Sequence, residues 1–234
     1  MKLTIQRGEA AETFEVGLEN ATLLEILTQI KTRIDPTLTF ASGCRSSVCG
    51  SCAMRVNGSE VLACGYKPSD GDVVEPLRNV PVIRDLVVDM DKALAFNAKA
   101  QAWIDPASGE IRITPEEEKA NELQSDCILC GSCYSACPVY AVNAEFEGPF
   151  ALTRSWRYVT DARTGNVREK LEAVQQNGIW DCTLCNECVP VCPQGIAPKQ
   201  DIVMLRTKSG MEGFTDPSLA GGFGGGPDFG GPVF

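Results

Sequence analysis

The sequence predicts an α+β fold in two parts and a tail: a β-sheet domain over residues 1–103, an α-helical domain over 104–208, and a Gly/Phe-rich segment over 209–234. Three observations carry this prediction. Short alternating runs dominate the first part, helical spacing dominates the second, and twelve cysteines fall in three compact sets of four. A chain of 234 residues has room for two modest cores.

In chain order, KLTIQR and TFEVGL read as two strands of a hairpin, joined by the polar, glycine-containing GEAAE. From Thr22, apolar residues recur at 23, 24, 26, 27, 30 and 34, a helical spacing with Thr22 as N-cap and Asp35-Pro36 as the stop. CAMRVNGSEVLAC alternates about Asn57-Gly58, a pair that favours a type I′ hairpin turn, and DVVEPL supplies a further strand. After VPVIRDLVVDM the pattern changes: DKALAFNAKAQAWI reads as a helix and DPASGEIR as a loop or short hairpin. Thr114-Pro115-Glu116-Glu117 combines a capping box with proline at the first helical position, so a helix is expected to run from there into the next cysteine set. GPFALTRSWRYVTDARTG can line a helix face with Phe150, Leu152, Trp156 and Val159, and NVREKLEAVQQNGIW is another helix. From Gly210 onward nine glycines are interspersed with Phe214, Phe223, Phe229 and Phe234, the composition of a flexible tail whose phenylalanines offer a docking strap.

The N-terminal MKLTIQRGEA lacks the basic-then-apolar pattern of a secretory leader, and no run approaches 18 apolar residues. The expected location is therefore the cytoplasm, where thiols stay reduced and compact cysteine sets point to metal rather than disulfides. Histidine is absent, which removes the usual residue of zinc catalysis, proton shuttling and haem ligation. The net charge of −10 weighs against a nucleic-acid partner, because phosphate binding needs concentrated Lys and Arg. No catalytic triad, phosphate-cradling glycine loop or dinucleotide fingerprint accompanies the cysteines, so no catalytic residue is assigned.

DCILCGSCYSACP at 126–138 and DCTLCNECVPVCP at 181–193 share the spacing C-x2-C-x2-C-x3-C-P, that of a protein with two four-iron clusters. Three thiolates on one loop reach three corners of a cube, whereas the fourth, on the following helical turn, points to the neighbouring cluster. Cys127, Cys130, Cys133 and Cys192 are thus assigned to a first [4Fe-4S] cluster, and Cys182, Cys185, Cys188 and Cys137 to a second. Cys44, Cys49 and Cys52 match the C-x4-C-x2-C spacing of a plant-type [2Fe-2S] centre, with Cys64 as the fourth ligand. Gly43 and Gly50 let backbone N–H groups approach the sulfurs, and Arg45, Ser46 and Ser47 are candidates to stabilise an added electron. The competing reading is structural zinc, whose four cysteines come as separated C-x2-C pairs and match these spacings poorly. Trp103, Trp156 and Trp180 read as core or interface aromatics, and Arg154 and Arg157 as surface or interface charges. Three one-electron centres with no substrate site of their own describe a relay between partners.

SGCRSSVCGSCAMRVNGSEVLAC, PVIRDLVVDM and CILCGSCYSACP together resemble the iron-sulfur subunit of succinate dehydrogenase and fumarate reductase, nearly throughout the chain to about residue 208. The resemblance implies a β-grasp, plant-type ferredoxin-like domain followed by an α-helical two-cluster ferredoxin domain. It implies a separate FAD-containing subunit that oxidises succinate or reduces fumarate, and a quinone site shared with membrane-anchor subunits. The complex would sit peripherally on the inner face of the cell membrane. Most relatives lack a thiol at the position of Cys185 and hold a [3Fe-4S] centre there; here a full [4Fe-4S] cluster is expected, with [3Fe-4S] the alternative should Cys185 not be a ligand. The tryptophan pair and histidine of the usual quinone pocket are also replaced, by CPVYAVN and WDCTLC. These departures resemble the branch that works with a heterodisulfide-reductase-B-like, cysteine-rich partner, such as methylmenaquinol:fumarate reductases and archaeal-type succinate dehydrogenases. That partner is expected to be a separate chain. The alternative function is an iron-sulfur relay for another flavoenzyme, of glycolate-oxidase type, or a soluble multi-cluster carrier.

Overall fold

The computed structural model of the protein describes residues 1–18 and 20–219; the tail phenylalanines Phe223, Phe229 and Phe234 lie outside the described residues. Strands β1 (Lys2–Arg7) and β2 (Ala10–Glu15) form an antiparallel hairpin that pairs Lys2 with Glu15 and Arg7 with Ala10. The turn is only Gly8-Glu9, with Gly8 at φ 62°, so Ala10, Ala11 and Glu12 join the second strand instead of the loop. β2 is an edge strand, where small and polar residues are tolerated on the outer side.

Helix α1 (Leu23–Arg33) starts at the expected cap: Glu25 N–H donates to the Thr22 hydroxyl, and Thr22 N–H returns a bond to the Glu25 carboxylate at 2.7 Å. Leu23, Leu24, Ile26, Leu27 and Ile30 are buried, whereas Ile34, past the last turn, is exposed. Strands β3 (Ala53–Val56) and β4 (Ser59–Leu62) meet at Asn57 and Gly58, both at positive φ as a type I′ turn requires. β5 (Asp72–Glu75) runs parallel to β1 and antiparallel to β3, giving the order β2-β1-β5-β3-β4. Leu3, Ile5, Phe14, Met54, Val56 and Val74 from this sheet share one core with the buried face of α1. A mixed sheet wrapped on one helix is the β-grasp architecture.

A short hairpin of β6 (Val82–Arg84) and β7 (Val87–Val88) leads to α2 (Asp91–Lys99), whose Ala93 and Phe96 enter the second core. Helix α3 (Pro115–Lys119) has the expected capping box and leading proline, but it does not run on. It buries no residue, and Asn121 then turns inward to donate to the Thr160 carbonyl at 3.3 Å before α4 (Glu122–Ser125) begins. Within the first Cys-Pro run lies α5 (Ser132–Ser135), and from its closing proline come α6 (Pro138–Val142), then α7 (Pro149–Val159) and α8 (Val167–Ala173). α7 buries Phe150, Leu152 and Val159; Trp156 is only half-buried. The last long helix, α9 (Pro198–Met211), packs on α7 and continues through Ser209 and Gly210, beyond the point where composition suggests the tail begins. Phe214 also packs on the second core, with the Arg168 guanidinium 4.8 Å above its ring.

The two cores are joined by a polar seam. Arg78 N–H donates to Ser135 Oγ at 3.1 Å and its Nε to the Ser135 carbonyl at 2.9 Å. Asn79 Nδ2 reaches the carbonyls of Tyr134, Ser135 and Cys137 within 3.2 Å, so one amide satisfies the C-terminal end of α5. Ser135 Oγ in turn donates to Glu60 Oε1 on β4 at 2.7 Å. Among the described residues no helix is long and apolar enough to cross a membrane.

One buried acid gives a pH prediction. Glu147 is fully buried, neither carboxylate oxygen has a hydrogen-bond partner, and burial pushes its carboxyl from 4.5 up to about 7, against the pull of Lys99 Nζ at 3.3 Å. A raised folded-state value means stability is whole below the unfolded value of 4.5 and declines as pH rises towards 7. Glu147→Gln keeps the shape without the charge. Thermal unfolding should show it more stable than wild type above pH 7 by up to about 3 kcal/mol, with no difference near pH 4.

Candidate metal centres

The first cysteine set occupies a loop whose backbone turns through the left-handed region at Arg45, Ser47 and Gly50, with φ 61°, 60° and 73°. This winding points successive amides inward. Ser46 and Val48 N–H donate to Cys44 Sγ at 3.3 and 3.4 Å, Cys44 N–H to Cys49 Sγ at 3.3 Å, and Ser47 N–H to Cys64 Sγ at 3.2 Å. Such bonds favour thiolate over thiol, and the Cys44 amide with Ser51 brings the Cys49 thiol down to about 6. Burial instead pushes Cys52 up to about 11. The glycines are needed for space: a Cβ on Gly43 would lie 2.9 Å from Cys49 Sγ, and one on Gly65 2.7 Å from Ser47 Oγ. Ser46 and Ser47 thus act through their amides, and Ser47 also through its hydroxyl, 3.5 Å from Cys64 Sγ. Arg45 contributes its backbone turn, while its side chain borders a surface hollow with Thr22, Glu25 and Cys64.

The second and third sets form two rings of crossed composition. Cys127, Cys130, Cys133 and Cys192 line one cavity with Ile128, Leu129, Phe150 and Ile196. Cys182, Cys185, Cys188 and Cys137 line another with Val139, Phe146, Pro149 and Ile202. Each loop is wound by left-handed residues at matching places, Leu129 and Gly131 in one, Leu184 and Asn186 in the other. Leucine is an unusual choice there. In the second loop the turn aims Leu184 N–H at Cys182 Sγ, at 3.4 Å. Each fourth cysteine leaves its own run: Pro138 starts α6 just after Cys137, whose Sγ takes the Tyr140 N–H at 3.4 Å.

Burial raises the thiols of Cys127, Cys130, Cys133, Cys137, Cys182 and Cys188, the last to about 12, so loading them with metal expels protons. Positive charge stands nearby: Lys199 lines the second cavity, and Arg206 clamps the carbonyls of Ile179, Trp180 and Cys182 at 2.8, 3.1 and 2.7 Å. The Arg206 guanidinium lies 5.4 Å from the centre of the Trp180 ring, which places that tryptophan in a structural role. Arg157 is held by Asp161 and Ser125, and Arg154 by Tyr158. Among the described residues no three His, Cys, Asp or Glu side chains converge tightly enough for a single metal ion. Four thiols around a mainly apolar cavity fit a larger, sulfur-bridged group better than one zinc, whose bonds to sulfur are about 2.3 Å.

The sites adjoin one another. A Cβ on Gly50 would lie 2.8 Å from Cys130 Cβ, so the first loop and the second touch backbone to ligand. Gln194, two residues beyond Cys192, donates to the Ser47 carbonyl at 3.1 Å. Neither contact has a sequence signal beyond the glycine itself; nor has the Arg78-Asn79 seam.

Known families match this arrangement: a 2Fe-2S iron-sulfur cluster binding domain over residues 3–95 and a 4Fe-4S dicluster domain over residues 123–196. Fold and sites therefore define an iron-sulfur electron-transfer protein of two units. The fumarate reductase iron-sulfur subunit of Mycobacterium tuberculosis is 40% identical over 83% of this chain and 83% of its own length. The 8-methylmenaquinol:fumarate reductase iron-sulfur subunit of Wolinella succinogenes is 34% identical over 95% of this chain and 78% of its own. A chain of the Mycobacterium smegmatis Sdh1 complex in the apo form superposes with a TM-score of 0.78 at 25% identity, covering 92% of this chain and 97% of that one. The chain belongs to the family of iron-sulfur subunits of succinate dehydrogenases and fumarate reductases, and serves as the electron-transfer subunit of such an oxidoreductase complex.

Proposed function

We propose that the chain holds one [2Fe-2S] cluster on Cys44, Cys49, Cys52 and Cys64, a first [4Fe-4S] cluster on Cys127, Cys130, Cys133 and Cys192, and a second on Cys182, Cys185, Cys188 and Cys137. In this reading it relays electrons between the FAD of a dicarboxylate-converting subunit and a heterodisulfide-reductase-B-like, cysteine-rich partner. The observation that carries it is the second ring, where Cys185 stands with the other three thiols around one cavity. When bound, such clusters take up and release single electrons. The chain's own part is to hold the sulfurs, aim amides at them and bury Cys133, Cys137 and Cys188.

The branch is supported by that fourth thiol, by CPVYAVN and WDCTLC in place of the usual tryptophan pair and histidine, and by the likeness to the Wolinella subunit. Two partner faces are consistent with exposed ligand loops at separate sites, Val48 beside Cys44 in the first and Cys185 with Asn186 in the last. The division at residues 1–103, 104–208 and 209–234 goes with this proposal, α2 being the first unit's contribution to the second unit's core. So does peripheral attachment to the inner face of the cell membrane through partners.

Purification of the native complex tests the reading. Recovery with an FAD-bearing dicarboxylate subunit and a separate cysteine-rich chain is the expected result. Recovery as a lone chain that a soluble reductase reduces at full rate would sink it.

A further inference from the structure

We propose that Asp201, a positioning residue acting through Thr153 on the wall of the Cys127, Cys130, Cys133 and Cys192 ring, lowers the reduction potential of the cluster held there and takes up a proton on its reduction. The inference rests on the ligand assignment proposed above.

Asp201 lies on α9 and is only 3% exposed. Gln124 Nε2 donates to its Oδ1 at 2.9 Å, and Thr153 Oγ1 donates to its Oδ2 at 2.9 Å. Thr153 itself lines the first ring's cavity, as does Pro198 at the start of the same helix. Both donors are neutral. Among the described residues Asp201 has no Lys or Arg within ion-pair distance, whereas the buried Asp85, Glu147 and Asp161 each face one.

The elements against α9 commit their charges elsewhere. From α7, Arg154 is turned to Tyr158 and Arg157 to Asp161; from α4, Glu122 and Asp126 are exposed. From α8, Arg168 reaches Glu212, Lys170 is held by Asp105, and Glu169 and Glu172 are exposed acids; on α9 itself Arg206 is bound to carbonyls, Lys199 lines the other cavity and Lys208 is one helical turn from the end. Across Thr153 lies the cavity of the first ring, where the Arg154 guanidinium also acts on Cys127.

A buried carboxylate with no counter-charge opposes any electron added beside it. Burial already pushes the Asp201 carboxyl up to about 6, and an added negative charge pushes it further. One electron from the reductant then brings one proton from solvent, past half-buried Gln124, to form an O–H bond on Asp201; no other bond changes. Reduction is favoured as pH falls.

The experiment is a redox titration of the holo complex by low-temperature EPR, from about pH 5.5 to about pH 8.5, with dithionite as reductant. The first-ring signal is identified by its loss in Cys192→Ala. In wild type its midpoint should fall as pH rises. In Asp201→Asn it should be independent of pH, and at the alkaline end higher by an amount on the order of a tenfold change in the equilibrium, which is about 59 mV for one electron. The second-ring midpoint should be the same in both. A wild-type midpoint flat across the range, or an Asp201→Asn midpoint equal to wild type with the cluster present, overturns the inference alone. Absence of any first-ring signal from wild type overturns the ligand assignment and the inference with it.

Discussion

Replacing Cys192 with alanine is expected to destroy the cluster of the 127–133 run and spare that of the 182–188 run, although Cys192 belongs to the latter in sequence. The two cavities are the reason: Cys192 closes the ring of Cys127, Cys130 and Cys133, and Cys137 closes the other. Cys137→Ala should do the converse. Each variant should lose up to about four of the chain's irons, or one iron where a three-iron remnant survives. EPR of the reduced protein tells which signal has gone. If Cys192→Ala removed the signal that depends on Cys182 and Cys188, ligation would follow the sequence runs and the crossed geometry would be wrong. Because metal binding and folding are coupled, both variants are best compared with each other as well as with wild type.

Cys185→Ala should have the second large effect, with a different signature. Cys185 is exposed, so the truncation leaves no buried void and costs little stability. Three thiols remain in the ring, buried or half-buried at Cys137, Cys182 and Cys188. The expected product is a [3Fe-4S] centre, seen as an EPR signal in air-oxidised protein, where wild type should be nearly silent. Iron should fall by about one per chain. An oxidised spectrum already carrying that signal in wild type, and unchanged by the substitution, would remove Cys185 from the ligand set.

The legible parts of this protein were those fixed by short-range chemistry. Asn57-Gly58 and Thr22 appear as a turn and a cap because a few neighbouring residues decide both. The spacing within each Cys-x2-Cys-x2-Cys-x3-Cys-Pro run keeps three thiols on one loop beside one cavity, while the fourth lines the other run's cavity. The misread segments depended on distant partners. The helix from Thr114 stops at Lys119 because it has no buried face, and Asn121 is drawn to Thr160. β2 begins at Ala10 because its pairing with Arg7 outweighs the weak strand preference of its alanines. α9 runs past Ser209 because that serine is buried and takes a hydrogen bond from Gln175 at 3.0 Å. Within the sites, left-handed Leu129 and Leu184 carried no warning, since leucine rarely adopts that conformation and only the ring geometry demands it. Asp201 likewise carries no signal of its own in PKQDIVMLR; its burial depends on the packing of α9, and Thr153 of α7 donates to it.

The central claim is that all twelve cysteines are cluster ligands and that the last ring is complete. Iron and acid-labile sulfide analysis of the native protein, paired with EPR of the air-oxidised sample, tests it most directly. The prediction is about ten irons and about ten sulfides per chain with no near-stoichiometric [3Fe-4S] signal. About nine irons with that signal present would contradict it.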